Sequence, residues 1–288
     1  MSPNLERLRH WNSGPIHQAY GPTGAILYAL SIGVGSDPLE PRQLRFVWEE
    51  NHTVFPTYPV VLGAPPPFYV DPAVGLTPGQ ILHAEQGLVL HRALPSTATV
   101  TGVTRVTGLA DKGHGRGALI YLERGVADSR TGERYATVTS TYYIRGGGGF
   151  GGQNEPAPPP HRLPDRLPDL QFDMPTMAQM ALFYRLNGDL NPLHVDAAVA
   201  AEAGYPRPIL HGLCTYAIAA HAVLRAVADD APAAMQALQA RFSAPVFPGE
   251  TLAIRIWRDG AIVSFEASVK DRDVVVLTNG RAVMRRDS

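Results

Sequence analysis

Two stretches of this chain repeat each other. Gly117–Asp128 reads GALIYLERGVAD, and Gly260–Asp271 reads GAIVSFEASVKD. Both begin Gly-Ala, run through two aliphatic residues, place an aliphatic or aromatic residue before a glutamate, and end on aspartate. The likeness extends outward. LPSTATVTGV from Leu94 parallels FPGETLAIRI from Phe247, and YATVTSTYYI parallels VVVLTNGRAVM. Alternating β-branched and aromatic residues between Gly/Asp turns signal antiparallel strands. A chain built this way is expected to fold as a duplicated α+β unit, each copy a curved antiparallel sheet around a helix.

The seam between the copies is legible in composition. Gly146–Gly152 reads GGGGFGG, and EPAPPPHRLPDRLPDL follows from Glu155. Glycines without side chains and prolines without amide donors sustain neither a ladder nor a helix. The expected layout is an N-terminal unit over 1–150, a Gly/Pro-rich linker over 151–171 and a C-terminal unit over 172–288. Residues 211–228, HGLCTYAIAAHAVLRAVA, read as a largely buried central helix. The corresponding stretch of the first unit, PTYPVVLGAPPPFYV from Pro56, is broken by prolines. The first central helix is therefore expected to be degraded, leaving room along the first sheet for a long or bulky ligand.

Composition closes off several function classes. Of the 288 residues, 45 % are apolar and 18 % charged, with a net charge of −1. Without a Lys/Arg stripe, nucleic acid is not an expected partner. No apolar run reaches the roughly 18 residues of a membrane span, and the N-terminus lacks the apolar core of a signal peptide. A single cysteine, Cys214, excludes an internal disulfide and fits a reducing compartment, so a cytoplasmic location is expected.

Between two apolar stretches lies YRLNGDLNPLHVD, Tyr184–Asp196. MAQMALFYRL, from Met177, reads as a helix stopping at Asn187-Gly188, and HVDAAVAAEAG as a short helix ending at Gly204. Asp and Asn around Pro192 explain a turn by themselves. His194 is not needed for a turn. Asp189 and His194, five residues apart across it, can share one water, because an imidazole exchanges protons near neutral pH. Asn191 can orient that water or a substrate. Downstream, His211-Gly212 opens the Ala/Leu-rich helix, whose free amides suit an oxyanion. The local physics leaves the turn and the site both open.

The motif as a whole is more specific. YRLNGDLNPLHVD followed by AGYPRPILHGLCTYAIAAHAVL resembles the hydratase 2 motif of the MaoC-like enoyl-CoA hydratases. In the first unit, ILYALSIGVGSD, FPTYPVVLG, ILHAEQ and GGGGFGG resemble two-unit members such as the hydratase domain of the peroxisomal multifunctional enzyme. The resemblance implies a double hot-dog fold, two tandem antiparallel sheets wrapping helices, and reversible hydration of (2E)-enoyl-CoA to (3R)-3-hydroxyacyl-CoA. It implies Asp189 and His194 as the catalytic pair, Asn191 in support, and the Gly212 amide in the oxyanion hole. It further implies no cofactor beyond the CoA of the substrate, no metal, a homodimer, and one active site per two units, the first unit shaping the acyl pocket. Asn187 departs from the pattern, standing where a small residue such as Ser is common.

Tyr184, Arg207, His211 and His83 are secondary candidates for substrate contact, each with a structural alternative. Cys214 on an apolar helix reads as a packing residue. Asp189, His194 and His211 lack the compact helical spacing of a metal ligand pair. The glycine run lacks the Lys-Ser/Thr of a phosphate loop. Two rival functions stand beside hydration: a hot-dog acyl-CoA thioesterase, and a non-catalytic acyl-CoA-binding subunit.

Overall fold

The computed structural model describes residues 4–76, 78–151 and 159–285. In the first half, α1 (Leu5–Arg9), β1 (Asn12–Tyr20), α2 (Pro22–Ser31) and α3 (Pro41–Leu44) precede β2 (Ile81–Leu90), β3 (Ala98–Asp111), β4 (Ala118–Asp128) and β5 (Arg134–Ile144). In the second, β6 (Leu170–Pro175), α4 (Met180–Tyr184), α5 (Ala197–Glu202) and α6 (Gly212–Ala228) precede β7 (Met235–Phe242), β8 (Thr251–Asp259), β9 (Ile262–Val269) and β10 (Val274–Met284).

The repeated stretches are β3–β4–β5 and β8–β9–β10. Strand order is β1-β3-β4-β5-β2-β7-β10-β9-β8-β6, so the sheet reads the same from either end once matching strands of the two halves are exchanged. Every pair of neighbouring strands is antiparallel. The two sheets expected from the repeat are joined into one of ten strands. The joint is β2 against β7, with Glu85 opposite Arg241, Gly87 opposite Gln239 and Val89 opposite Ala237. Arg241 Nε donates to Glu85 Oε1 across it at 2.8 Å. Unpaired, those strands would present two open edges of donors and acceptors.

Inside the second half, α6 is buried on nearly every side, from Cys214 through Leu224. Ala217, Ala219, Ala220 and Ala222 let strands close on it, so it has no polar face to give to water. The first half has no counterpart of that length. Its 56–80 stretch forms only short 3-10 turns, at Tyr58–Val60, Phe68–Val70, Pro72–Val74 and Pro78–Gln80. Prolines at 56, 59, 65, 66, 67, 72 and 78 forbid anything longer. Tyr28, Tyr58, Phe46 and Phe55 fill the volume instead. The stretch is pinned to the sheet where Gly63 meets Gly102: a Cβ on Gly102 would lie 2.1 Å from the Gly63 carbonyl oxygen.

Two local readings change. The helix expected from Met177 begins at Met180, lasts to Tyr184, and tightens into a 3-10 turn over Arg185–Asn187. The glycine run, expected as a turn or linker, folds back onto the β3–β4 turn. Asp111 Oδ1 accepts from the amides of Gly113 and Gly149, and Oδ2 from that of Gly151. Of the expected linker, residues 152–158, which include Gly152, lie outside the described residues, and 159–169 carry no regular element.

The Gly63–Gly102 contact yields a stability test. Gly102→Ala forces two backbones apart and is expected to cost about 2 kcal/mol or more, read as a lower urea midpoint at unchanged m-value.

Candidate active site

The turn from Gly188 to Asp196 links α4 to α5, and its polar residues divide the work. Asp189 is exposed, and its Oδ1 accepts from the Asn191 amide at 3.2 Å. Asn191 Oδ1 accepts from the Leu193 amide at 3.1 Å, capping a single 3-10 turn, Pro192–His194. That turn carries His194 inward, to 8 % exposure. His194 Nδ1 donates to the Ile209 carbonyl at 2.9 Å. A carbonyl only accepts, so Nδ1 holds the proton and Nε2 keeps a free lone pair. Burial holds His194 below the ordinary histidine range, against the opposing pull of that hydrogen bond and the Asp189 charge. The imidazole is neutral at neutral pH.

His211 supports this arrangement from behind. Its ring stacks on that of His194, centroids 3.7 Å apart and 27° between planes. Its Nε2 donates to the main-chain oxygen of Asp189 at 3.2 Å. Burial, then the neighbouring His194, push it down to about 4. Tyr184, fully buried, packs its ring 5.0 Å from His211 on the inner side.

His211 is also the N-cap of α6, with no side-chain capping bond. The amides of Cys214 and Thr215 turn back to the His211 carbonyl, so those of Gly212 and Leu213 are the first free donors of the helix. A Cβ at 212 would press on the Phe242 ring at 3.2 Å, so glycine lets the ring and the helix start lie close together. Phe242 in turn lies 4.9 Å from His83, which stacks on Tyr142 at 4.7 Å. Burial raises the pKa of Tyr69 and Tyr142, and the nearby Asp189 charge adds to it; the same charge opposes the lowering of His83. For His83 burial dominates and pushes it down to about 4. The first half thus walls the site that the second half equips.

Known proteins match this architecture along the chain. Residues 160–280 match the MaoC like domain, and 19–146 match the MFE-2 hydratase 2 N-terminal domain. The enoyl-CoA hydratase ChsH3 of Mycobacterium tuberculosis is 38 % identical over 268 residues, 91 % of this chain and 92 % of that one. The peroxisomal enoyl-CoA hydratase 2 of Arabidopsis thaliana is 35 % identical, over 90 % of this chain and 88 % of its own. The chain belongs to the MaoC-like hydratase family. A crystal structure of a MaoC-like dehydratase from Phytophthora capsici superposes with a TM-score of 0.87 at 33 % identity, over 99 % of this chain and 100 % of that one. A Mycobacterium tuberculosis protein described as a double hotdog fold superposes at 0.58 over 99 % of each chain and, at 14 % identity, shows the shared fold.

Within this MaoC-like chain the secondary candidates part company. Asp189, Asn191, His194, His211 and Gly212 gather at one place, and His83 faces them from the first half. Arg207 stays outside, its guanidinium over the Phe247 ring at 5.0 Å and donating to the Pro248 carbonyl at 3.3 Å. Tyr184 lies behind His211, away from the exposed side of the turn. Asp189, His194 and His211 each offer one metal-ligating atom within 4.8 Å of the others. Near-parallel stacked imidazoles aim their in-plane lone pairs side by side, which does not suit a single ion about 2 Å from each.

Sequence patterns did not point to Tyr69, Tyr142, Phe242 or Ser31. Ser31 matters because Asn187 Nδ2 donates to its hydroxyl at 3.0 Å and to the Tyr184 carbonyl at 2.9 Å. The departure at 187 thus binds the turn to α2 of the other half.

Buried histidines set a pH signature. His83 and His211 sit at about 4 and His221 at about 3, against about 6.5 in the unfolded chain. As pH falls below 6.5 the unfolded state takes up protons first, so stability drops progressively toward pH 4. A urea midpoint lower at about pH 5 than at about pH 7 is expected. An unchanged midpoint would mean these rings are solvated.

Proposed function

We propose that this chain catalyses the reversible hydration of trans-2-enoyl-CoA to (3R)-3-hydroxyacyl-CoA. The observation that carries the reading is the free Nε2 of a neutral His194, beside Asp189 and close to the uncapped start of α6. In this reading the thioester carbonyl accepts from the Gly212 amide, which draws electrons from C3. Asp189 and His194 hold one water between them. His194 Nε2 takes a proton from it as its oxygen bonds to C3. The C2=C3 π pair moves toward the carbonyl as an enolate, and a proton added at C2 completes the product. Asn191 holds the turn in shape.

The division of labour follows the halves. Residues 172–288 supply the chemistry, residues 1–150 shape the acyl pocket, and 151–171 connect them. The reading needs no cofactor and no metal, because CoA arrives with the substrate. A cytoplasmic location fits the single buried cysteine, while the Arabidopsis relative is named peroxisomal. No described helix is long and apolar enough to cross a membrane. A homodimer belongs to the same reading. It would cover apolar side chains exposed beside the turn, Leu182, Phe183, Leu186 and Leu190 among them.

Purified chain mixed with crotonyl-CoA and with a longer trans-2-enoyl-CoA is expected to bleach the ultraviolet absorbance of the enoyl thioester without releasing thiol. Asp189→Asn and His194→Gln are each expected to lower kcat about a thousandfold in folded protein. Free thiol would make the chain a thioesterase, and binding without turnover would make it an acyl-CoA-binding subunit.

The pH profile gives a separate check. His194 works as the neutral base, and burial lowers its pKa. The acid limb of kcat/KM is therefore expected below the ordinary 6.5 of histidine, with activity lost only as pH falls through the lowered value. A limb above 6.5 would exclude a buried His194 as the base.

A further inference from the structure

A cavity of about 390 Å3 opens beside the catalytic turn, walled by Gln18, Gly24, Leu27, Tyr58, Asn187 and Gly188. Gly188 immediately precedes Asp189, so the cavity begins one residue from the proposed water-holding carboxylate. Tyr58 belongs to the proline-broken stretch that stands where the first half lacks a central helix. The volume is at the low end of small-molecule pockets, enough for part of a ligand.

The lining is not that of a simple hydrocarbon slot. Tyr58 is 4 % exposed, yet its hydroxyl has no hydrogen-bond partner among the described residues. Burial pushes that hydroxyl up to about 12, so it keeps its proton and can donate. Gly24 leaves it accessible, since a Cβ there would come within 3.1 Å of the hydroxyl oxygen. Gln18 Oε1 already accepts from the Gly63 amide at 2.8 Å, which fixes the side chain and leaves its NH2 to donate. Leu27 and the ring of Tyr20 supply apolar wall. Two donors in the lining of a partly apolar recess match a carbon chain that carries an acceptor oxygen. A plain alkyl chain would bury those donors unpaired.

We propose that this cavity receives the distal end of the acyl chain and selects enoyl thioesters whose tail bears an oxygen function: hydroxyl, oxo or ether. The proposal rests on the hydratase reading and adds a substrate class to it. Tyr58 and Gln18 act on specificity and take no part in the proton transfers.

The test is steady-state hydration of three trans-2-enoyl-CoA substrates by the full chain: crotonyl-CoA, too short to reach the cavity, and two longer ones of equal length, one alkyl and one with a hydroxyl near its end. The wild type is expected to favour the hydroxylated chain in kcat/KM. Tyr58→Phe is expected to cut that preference about tenfold, through KM, as loss of one buried hydrogen bond does. Gly24→Ala, which suits a helix and narrows the approach to Tyr58, is expected to penalise both long substrates against crotonyl-CoA. An equal loss on all three substrates in Tyr58→Phe would place the CoA arm in the cavity and overturn the proposal. So would equal kcat/KM values for the two long chains in the wild type. Failure of the wild type to hydrate even crotonyl-CoA would instead remove the hydratase reading beneath it.

Discussion

The pairing of β2 with β7 is the interaction on which the rest of this protein depends. It fuses two five-stranded halves into one sheet and fixes their register. His83, at the start of β2, comes to lie against Phe242, at the end of β7. Phe242 in turn borders Gly212 at the mouth of α6. A slip of one residue would turn every side chain of one half to the other face of the sheet and carry His83 away from Asp189. The site is thus a property of the joint. The second half alone would own Asp189, His194 and the helix amides, but not the wall that encloses them.

Burial does the chemical tuning. His194 suits the proposed role of base because it is neutral, and it is neutral because it is buried, with its one proton directed at the Ile209 carbonyl. His211 is buried as well and neutral for the same reason, and two neutral imidazoles can stack face to face where two imidazolium rings would repel each other. Asp189, by contrast, lies exposed on the turn. A neutral base and a solvated carboxylate on one short turn is an asymmetry that five residues of sequence encode through a single proline-led turn.

Much of this was legible in the chain and some was not. The duplicated strands declared themselves by alternation and by their Gly/Asp turns, and the prolines from 56 onward forbade the first helix. The motif from Asn187 to His194, joined to HGLC, pointed to residues that the fold does bring together, Asp189, His194 and His211 among them. What one chain segment does to another is not written locally. Tyr142 looks like one more strand aromatic until the β2–β5 pairing sets it on His83. Asn187 reads as a turn former until α2 brings Ser31 to it. Joining the sheets required knowing that β2 and β7 would meet, and neither strand carries a mark of its partner. Even the glycine run, which reads as slack, is tied down by one aspartate, Asp111, from a distant turn.

The palindromic sheet lets the two halves be compared turn by turn. In the first half α2 follows β1 just as α4 follows β6, and SIGVGSD stands where the second half has YRLNGD. The first-half turn keeps the same aspartate geometry: Asp37 Oδ1 accepts from the amide two residues on, Leu39, as Asp189 does from Asn191. Five residues past Asp37 stands Arg42, where the second half has His194. Arg42 is committed to ion pairs with Glu40 and Asp229. Downstream, where α6 offers Gly212, the first half offers a run of prolines and no long helix start. An aspartate turn without an imidazole or aligned amides can hold water but has no base to activate it and no donor for an oxyanion. The first half thus has no second set of site residues, and Tyr58 of its proline-broken stretch lines a cavity together with Asn187 and Gly188 of the second half.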